Sequence, residues 1–292
     1  MEIAGVKFRF RGELEPESYL LSQNAYKTFA STDSDRHLHT VDIEISFAPP
    51  PITPSMVKIF EGDSAWQIFK QKENYIFSYH PPSSTDPLWS AYFDTSLSAV
   101  SVYLLQPPYE INFLPYLTTL LRTLTMYALV GQNGLIVHGA GIETCSKGII
   151  FSGKSGSGKS TIANALNRDS RINVLSDERI VVRHTGDHYS MSGTPWPSDA
   201  ELAMNQSVEL SALCFIHHGK VNRFEALNAK TGMERLLPVA TIPWYDAALI
   251  QPMLDFCGNT VADIPVFDLW LKPDSTIIDF VHYFRKGLPD GV

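Results

Sequence analysis

The stretch Gly153-Lys154-Ser155-Gly156-Ser157-Gly158-Lys159-Ser160 constrains this chain more than any other. Its glycines tolerate positive φ, so the backbone can turn successive N–H groups toward one point. An apolar run, Gly148-Ile149-Ile150-Phe151-Ser152, precedes it and reads as a buried strand. Ile162-Ala163-Asn164-Ala165-Leu166 follows and suits a helix over about 160–167. Strand, glycine loop and helix in that order are the context in which G-x-x-x-x-G-K-[ST] cradles phosphates. The free donors and positive dipole end of the helix converge on the same point. The pattern predicts a nucleoside triphosphate site, ATP with Mg²⁺, built from Gly153, Ser155, Gly156, Ser157, Gly158, Lys159, Ser160 and Thr161. Lys159 is expected to reach the β and γ phosphates and the Ser160 hydroxyl to bind Mg²⁺. A merely flexible Gly/Ser loop is the alternative, and the flanking strand and helix oppose it.

Phosphoryl chemistry also requires groups that hold a metal and orient or deprotonate the attacking oxygen. Asp177 and Glu178 end the next apolar run, 172–175, and should emerge on the same sheet edge as the loop. One carboxylate would hold Mg²⁺ with Ser160 while the other accepts a proton. The alternative is a polar strand end paired with Arg179. His138 closes a short strand at 135–138, just upstream; a lone histidine is as readily structural as functional.

The first hundred residues read as β-rich. Short runs at 6–10, 41–47, 56–60, 66–69, 75–79, 90–93 and 99–105 are separated by turn-rich stretches at 48–51 and 80–84. The absence of long helices between them predicts an antiparallel sheet. From 113 to 129 apolar residues fall at helical spacing. Further along, hairpins are expected at 180–184/188–192 and 213–217/222–226, a helix bent by Pro252 at 245–256, and final strands at 264–271 and 276–280. The fold class expected is α/β: a phosphate-loop (P-loop) nucleotide-binding domain with a mixed sheet over 111–292, preceded by a smaller β-rich accessory domain over 1–110.

The formal net charge of −8 repels phosphate backbones, and no run of Lys and Arg offsets it, so nucleic acid is an unexpected partner. Three scattered cysteines form no C-x-x-C pair and suggest neither disulfides nor zinc. With no basic-then-apolar leader and no uninterrupted apolar span, a cytoplasmic protein without a membrane partner is expected. A homo-oligomer stays open.

Val137-His138-Gly139, the run from Gly148 to Thr161, and Leu175-Ser176-Asp177-Glu178-Arg179-Ile180 together resemble the kinase domain of the HPr kinase/phosphorylase family. Its wider fold group includes ATP-dependent phosphoenolpyruvate carboxykinases. The resemblance implies Asp177 as general base for a serine hydroxyl, Glu178 near the metal, and His138 and Lys159 at the phosphates. Two features depart from the family: Glu178 stands where Asp is usual, and the later Arg- and Gly-rich substrate segment is missing. Gly193-Thr194-Pro195-Trp196 stands there instead, which looks more like the relatives associated with peptide modification. The implied activity is transfer of the ATP γ-phosphoryl to a hydroxyl, on serine of a peptide or small protein. Two alternatives stay open. One is an ATPase in which Glu178 polarises water, although only sixteen residues separate Ser160 from Asp177. The other is a non-catalytic, nucleotide-gated module that holds a partner through its β-rich region.

Overall fold

The computed structural model describes residues 1–14, 16–30, 39–50, 55–62, 65–81, 86–105, 113–154 and 156–288. Ser155 of the glycine loop, and residues 51 and 82–84 of the expected turns, lie outside the described residues. The chain is α/β with two mixed sheets, and it divides into two compact units: residues 1–128 with 243–247, and residues 129–242 with 248–292. The division falls inside the helix expected to open the second domain, later than the boundary expected at 110/111.

In the first unit, β1 (Glu2–Ile3), β2 (Val6–Gly12), β3 (His39–Ser46), β4 (Val57–Glu61), β5 (Trp66–Gln71), β6 (Asn74–Tyr79), β7 (Trp89–Asp94) and β8 (Ala99–Leu104) form one sheet. Their order is β1-β2-β3-β8-β7-β6-β5-β4. Two short helices missed in the sequence, α1 (Pro16–Leu21) and α2 (Asn24–Lys27), fall between β2 and β3. They let the chain return and pair in parallel. β3 is also parallel to β8, so the expected antiparallel sheet is mixed. Alternating residues, such as Val41, Ile43 and Ile45 on β3, bury one face. α3 (Phe113–Val130) buries Leu117, Leu120, Leu121 and Leu124, a stripe at helical spacing. Its Tyr127 packs on Tyr75 and Phe93, with ring centroids 5.0 and 5.1 Å apart. That packing assigns most of α3 to this unit. The returning segment 243–247 brings Asp246, only 4% exposed, onto Lys70 and Tyr75. The Lys70 ammonium donates to both carboxylate oxygens at 2.8 Å and the Tyr75 hydroxyl donates at 2.6 Å.

The second unit contains β9 (Gly134–Thr144), β10 (Lys147–Ser152), α4 (Lys159–Leu166), β11 (Ile172–Ser176), β12 (Arg179–Thr185), β13 (His188–Ser192) and β14 (Ser207–His218). After them come β15 (Arg223–Leu227), α5 (Ala229–Leu236), a 3₁₀ turn (Leu237–Val239), α6 (Ala247–Asp263, nearly all in this unit), β16 (Val266–Leu271) and α7 (Thr276–Lys286). The strand order is β10-β9-β12-β13-β14-β16-β15. β11 pairs with β9, and β10 pairs again with β14. β10, β14 and β16 run parallel, so the loop after β10 and the end of β14 leave the sheet on one edge. Separate clusters cover its two faces. One packs Val137, Leu213 and Phe215 against Leu236, Met253 and Cys257; the other packs Phe151 and Cys214 against Ile162, Leu166, Val281 and Phe284.

Several expectations are corrected here. Residues 276–280 begin helix α7, because Ile277, Val281 and Phe284 recur at helical spacing and pack on the sheet. The expected 213–217/222–226 hairpin does not form, because β16 inserts between β14 and β15 and pairs with both. The expected four-residue strand at 135–138 is an eleven-residue strand, wanted along its length by β10, β11 and β12. The helix expected at 245–256 spans Ala247–Asp263, with Pro252 inside it.

Candidate active site

Gly153 and Lys154 follow the C-terminal end of β10, and residues 156–158 lead into α4. Gly156 and Gly158 take φ of 78° and 98°, and Gly158 is the helix N-cap in the left-handed region. Side chains are strained there, which is the physical reason for glycine at these two positions. Lys159, the first residue of α4, is 7% exposed and folds back over the loop, donating to the carbonyls of Gly153 at 2.9 Å and Lys154 at 3.1 Å. Burial lowers the pKa of its ammonium and the Glu178 carboxylate counteracts that. The Ser157 hydroxyl is buried without a hydrogen-bond partner among the described residues.

Sheet register assembles the rest. Arg179 on β12 pairs with His138 on β9, and the Gly139 N–H donates to the Glu178 carbonyl at 2.8 Å. β10 holds the same point from its other side, the Ser152 hydroxyl donating to the His138 carbonyl at 2.6 Å. His138, Lys159, Ser160, Thr161, Asp177 and Glu178 therefore line one cavity of about 420 Å³, with Gly156 and Gly158 at its edge. Its histidine is pushed down to about 4 from an ordinary 6.5, first by burial and then by the positive charges of Lys159 and Arg179. At neutral pH the ring is uncharged, and its 4.0 Å approach to Glu178 is no ion pair. Glu178 instead meets the Arg179 guanidinium at 3.4 Å.

The two carboxylates differ sharply. Asp177 is 1% exposed and fully engaged: it accepts from the Ser198 N–H at 3.1 Å, the Ser198 hydroxyl at 2.7 Å and the Ala200 N–H at 3.1 Å. Glu178 keeps 27% of its side chain open. The proton-accepting role that the resemblance implies for Asp177 thus meets a carboxylate already holding three donors. Ser198, missed in the sequence, is the link. Its one proton goes to Asp177, so at the 3.1 Å contact between Ser198 and Ser160 hydroxyls the donor is Ser160. The Ser160 lone pairs are then free for a cation. Gly193 lets the segment carrying Ser198 come close, since a Cβ there would stand 2.1 Å from the Met204 carbonyl oxygen and 2.5 Å from that of Leu175. The only local hint was Gly193-Thr194-Pro195-Trp196 itself; the contact spans twenty-one residues.

The site suits a polyphosphate: the Lys159 ammonium donates to two loop carbonyls, the N-terminus of α4 opens onto the cavity, and burial together with nearby positive charge keeps the histidine neutral. Among the described residues no group of three or more His, Cys, Asp or Glu could hold a metal. A divalent cation would therefore need phosphate oxygens to complete its shell around Ser160. No helix among the described residues is long and apolar enough to cross a membrane.

No family model matches the chain, and no curated protein sequence matches it. Among solved structures it is similar to the Hpr(Ser) kinase/phosphatase from Coxiella burnetii, at 12% identity and a TM-score of 0.32 over 52% of this chain and 96% of that one.

Proposed function

We propose that this chain is a kinase that transfers the γ-phosphoryl of ATP to a hydroxyl, on serine of a peptide or small protein. The observation that supports this most is the single cavity lined by Lys159, Ser160, Asp177 and Glu178 at the start of α4. Loop and helix amides with the Lys159 ammonium bind the phosphates, since phosphoryl transfer is mainly positioning and charge stabilisation. Mg²⁺, bound with the nucleotide, would neutralise phosphate charge. Ser160 would hold it, with Ser198 and Asp177 fixing that hydroxyl's orientation. Glu178, the open carboxylate, accepts the proton of the incoming hydroxyl. His138 stays neutral beside it and adds no second ion pair to the one that carboxylate makes with Arg179.

The test is transfer of labelled phosphate from ATP to serine peptides by purified protein, with Glu178→Gln and Lys159→Ala alongside. Labelled peptide formed by the wild type and not by either variant supports the proposal. Rapid ATP hydrolysis without any acceptor would move the reading to an ATPase in which Glu178 polarises water. ATP binding with no turnover would leave a nucleotide-gated binding module.

A further inference from the structure

A second cavity, of about 540 Å³, opens at the other flank of the same loop. β10 lies between β9 and β14. The cavity described above is built on the β9 and β12 side, whereas this one is built on the end of β14 and on α5. Gly156 lines both, so the two meet across the loop. In sheets with parallel strands, ligands bind beyond the carboxyl ends of neighbouring strands, and both cavities stand there.

Its walls suit a flat, partly apolar molecule. Phe215, Pro238 and Val239 supply apolar surface. The His217 ring lies on Trp270, with centroids 5.1 Å apart and planes at 25°, and its Nε2 stands 2.7 Å from Asp268 Oδ1. Arg235 donates to the same carboxylate through Nε at 3.2 Å and Nη2 at 3.1 Å. Asp268 is 4% exposed, so a buried anion fixes two planar, nitrogen-bearing groups at one wall. Groups fixed beforehand lose little freedom on binding. The volume is that of a small-molecule site.

A triphosphate has two ends. With the terminal phosphate beside Lys159 and Glu178, the nucleoside leaves the loop at its opposite flank. We infer that the 540 Å³ cavity takes the nucleoside of the bound triphosphate, base and ribose, against His217, Arg235 and Val239. The inference rests on the phosphate-loop reading above.

The test is calorimetric titration of the full chain with ATP and with inorganic tripolyphosphate, each with Mg²⁺, for wild type, His217→Ala and Val239→Phe. Thermal melts check that each variant folds. Val239→Phe fills the cavity and leaves the Asp268 network intact, so the test survives a failure of His217→Ala to fold. The wild type should hold ATP at least about tenfold tighter than tripolyphosphate. Folded variants should lose most of that advantage and keep tripolyphosphate affinity within about twofold. Equal wild-type affinities overturn the inference, as does an ATP advantage untouched by Val239→Phe. A Val239→Phe variant that raises only the acceptor KM overturns it too, by giving the cavity to the acceptor. If neither ligand binds, or if Lys159→Ala binds tripolyphosphate normally, the phosphate-loop reading fails and this inference falls with it. Tripolyphosphate binding that depends on Lys159, without an ATP advantage, overturns the inference alone.

Discussion

Ser198, twenty-one residues beyond Asp177, gives its hydroxyl proton to that carboxylate at 2.7 Å. The pairing turns a buried acid into the anchor of a short chain ending at the Ser160 hydroxyl. Removing it should cost in two ways. Ser198→Ala leaves Asp177 with its two amide donors and should lower stability by about 1–3 kcal/mol, measured by denaturant unfolding. It should also weaken Mg²⁺-dependent binding of ATP while sparing Mg²⁺-free binding. A variant as stable as wild type with unchanged Mg²⁺ dependence would remove Ser198 from the site.

Lys159→Ala should lower triphosphate affinity by roughly 100-fold or more, the scale for losing one partner of a desolvated ion pair. Calorimetry with ATP and tripolyphosphate reads it directly. Both ligands should suffer alike, because the contact proposed for the ammonium is with the phosphates they share.

The adjacent acids should separate by experiment. Glu178→Gln should keep the fold and ATP affinity while cutting transfer by about 10²–10⁴, the range for a general base. Asp177→Asn should instead destabilise the protein by about 1–3 kcal/mol, because an amide nitrogen would face Ser198 or Ala200 donors. A stable, inactive Asp177→Asn beside an active Glu178→Gln would return the base role to Asp177.

His138 sets a pH dependence. Its folded pKa, about 4, lies below the ordinary 6.5, so between those values the unfolded chain takes up a proton that the folded chain refuses. Stability from this group is complete above about 6.5 and falls as the pH drops toward 4. His138→Gln should flatten that part of a stability–pH curve. A bound polyphosphate should raise the histidine's midpoint, visible in its ring proton shifts by NMR.

In the first unit, Asp246→Ala should strip the Lys70 ammonium and Tyr75 hydroxyl of their shared acceptor. The expected loss is about 2–4 kcal/mol by denaturant unfolding, since the carboxylate is buried and holds both donors.

Local features were the legible ones. The strand, glycine loop and helix from Gly148 to Leu166 announce themselves because each needs only its own neighbours in sequence. The reading of 276–280 as a strand failed for a related reason. Ile277, Ile278 and Phe280 favour strands locally, and the helical stripe shows only when Val281 and Phe284 are counted with Ile277. Parallel pairing was invisible: nothing near residue 213 or 222 says that residues 266–271 will separate them. The same limit hid Ser198 and His217. Their significance comes from Asp177 and Asp268, which folding brings to them from twenty-one and fifty-one positions away.

The segment 243–247 has a practical consequence for cutting this protein into parts. A fragment ending at Ala128 would lack Asp246 and leave Lys70 and Tyr75 without their shared acid, while the complementary fragment would carry five residues that pack elsewhere. Spatial ownership and gene order disagree here. A first unit able to stand alone needs either those five residues grafted after α3 or a neutral replacement for Lys70.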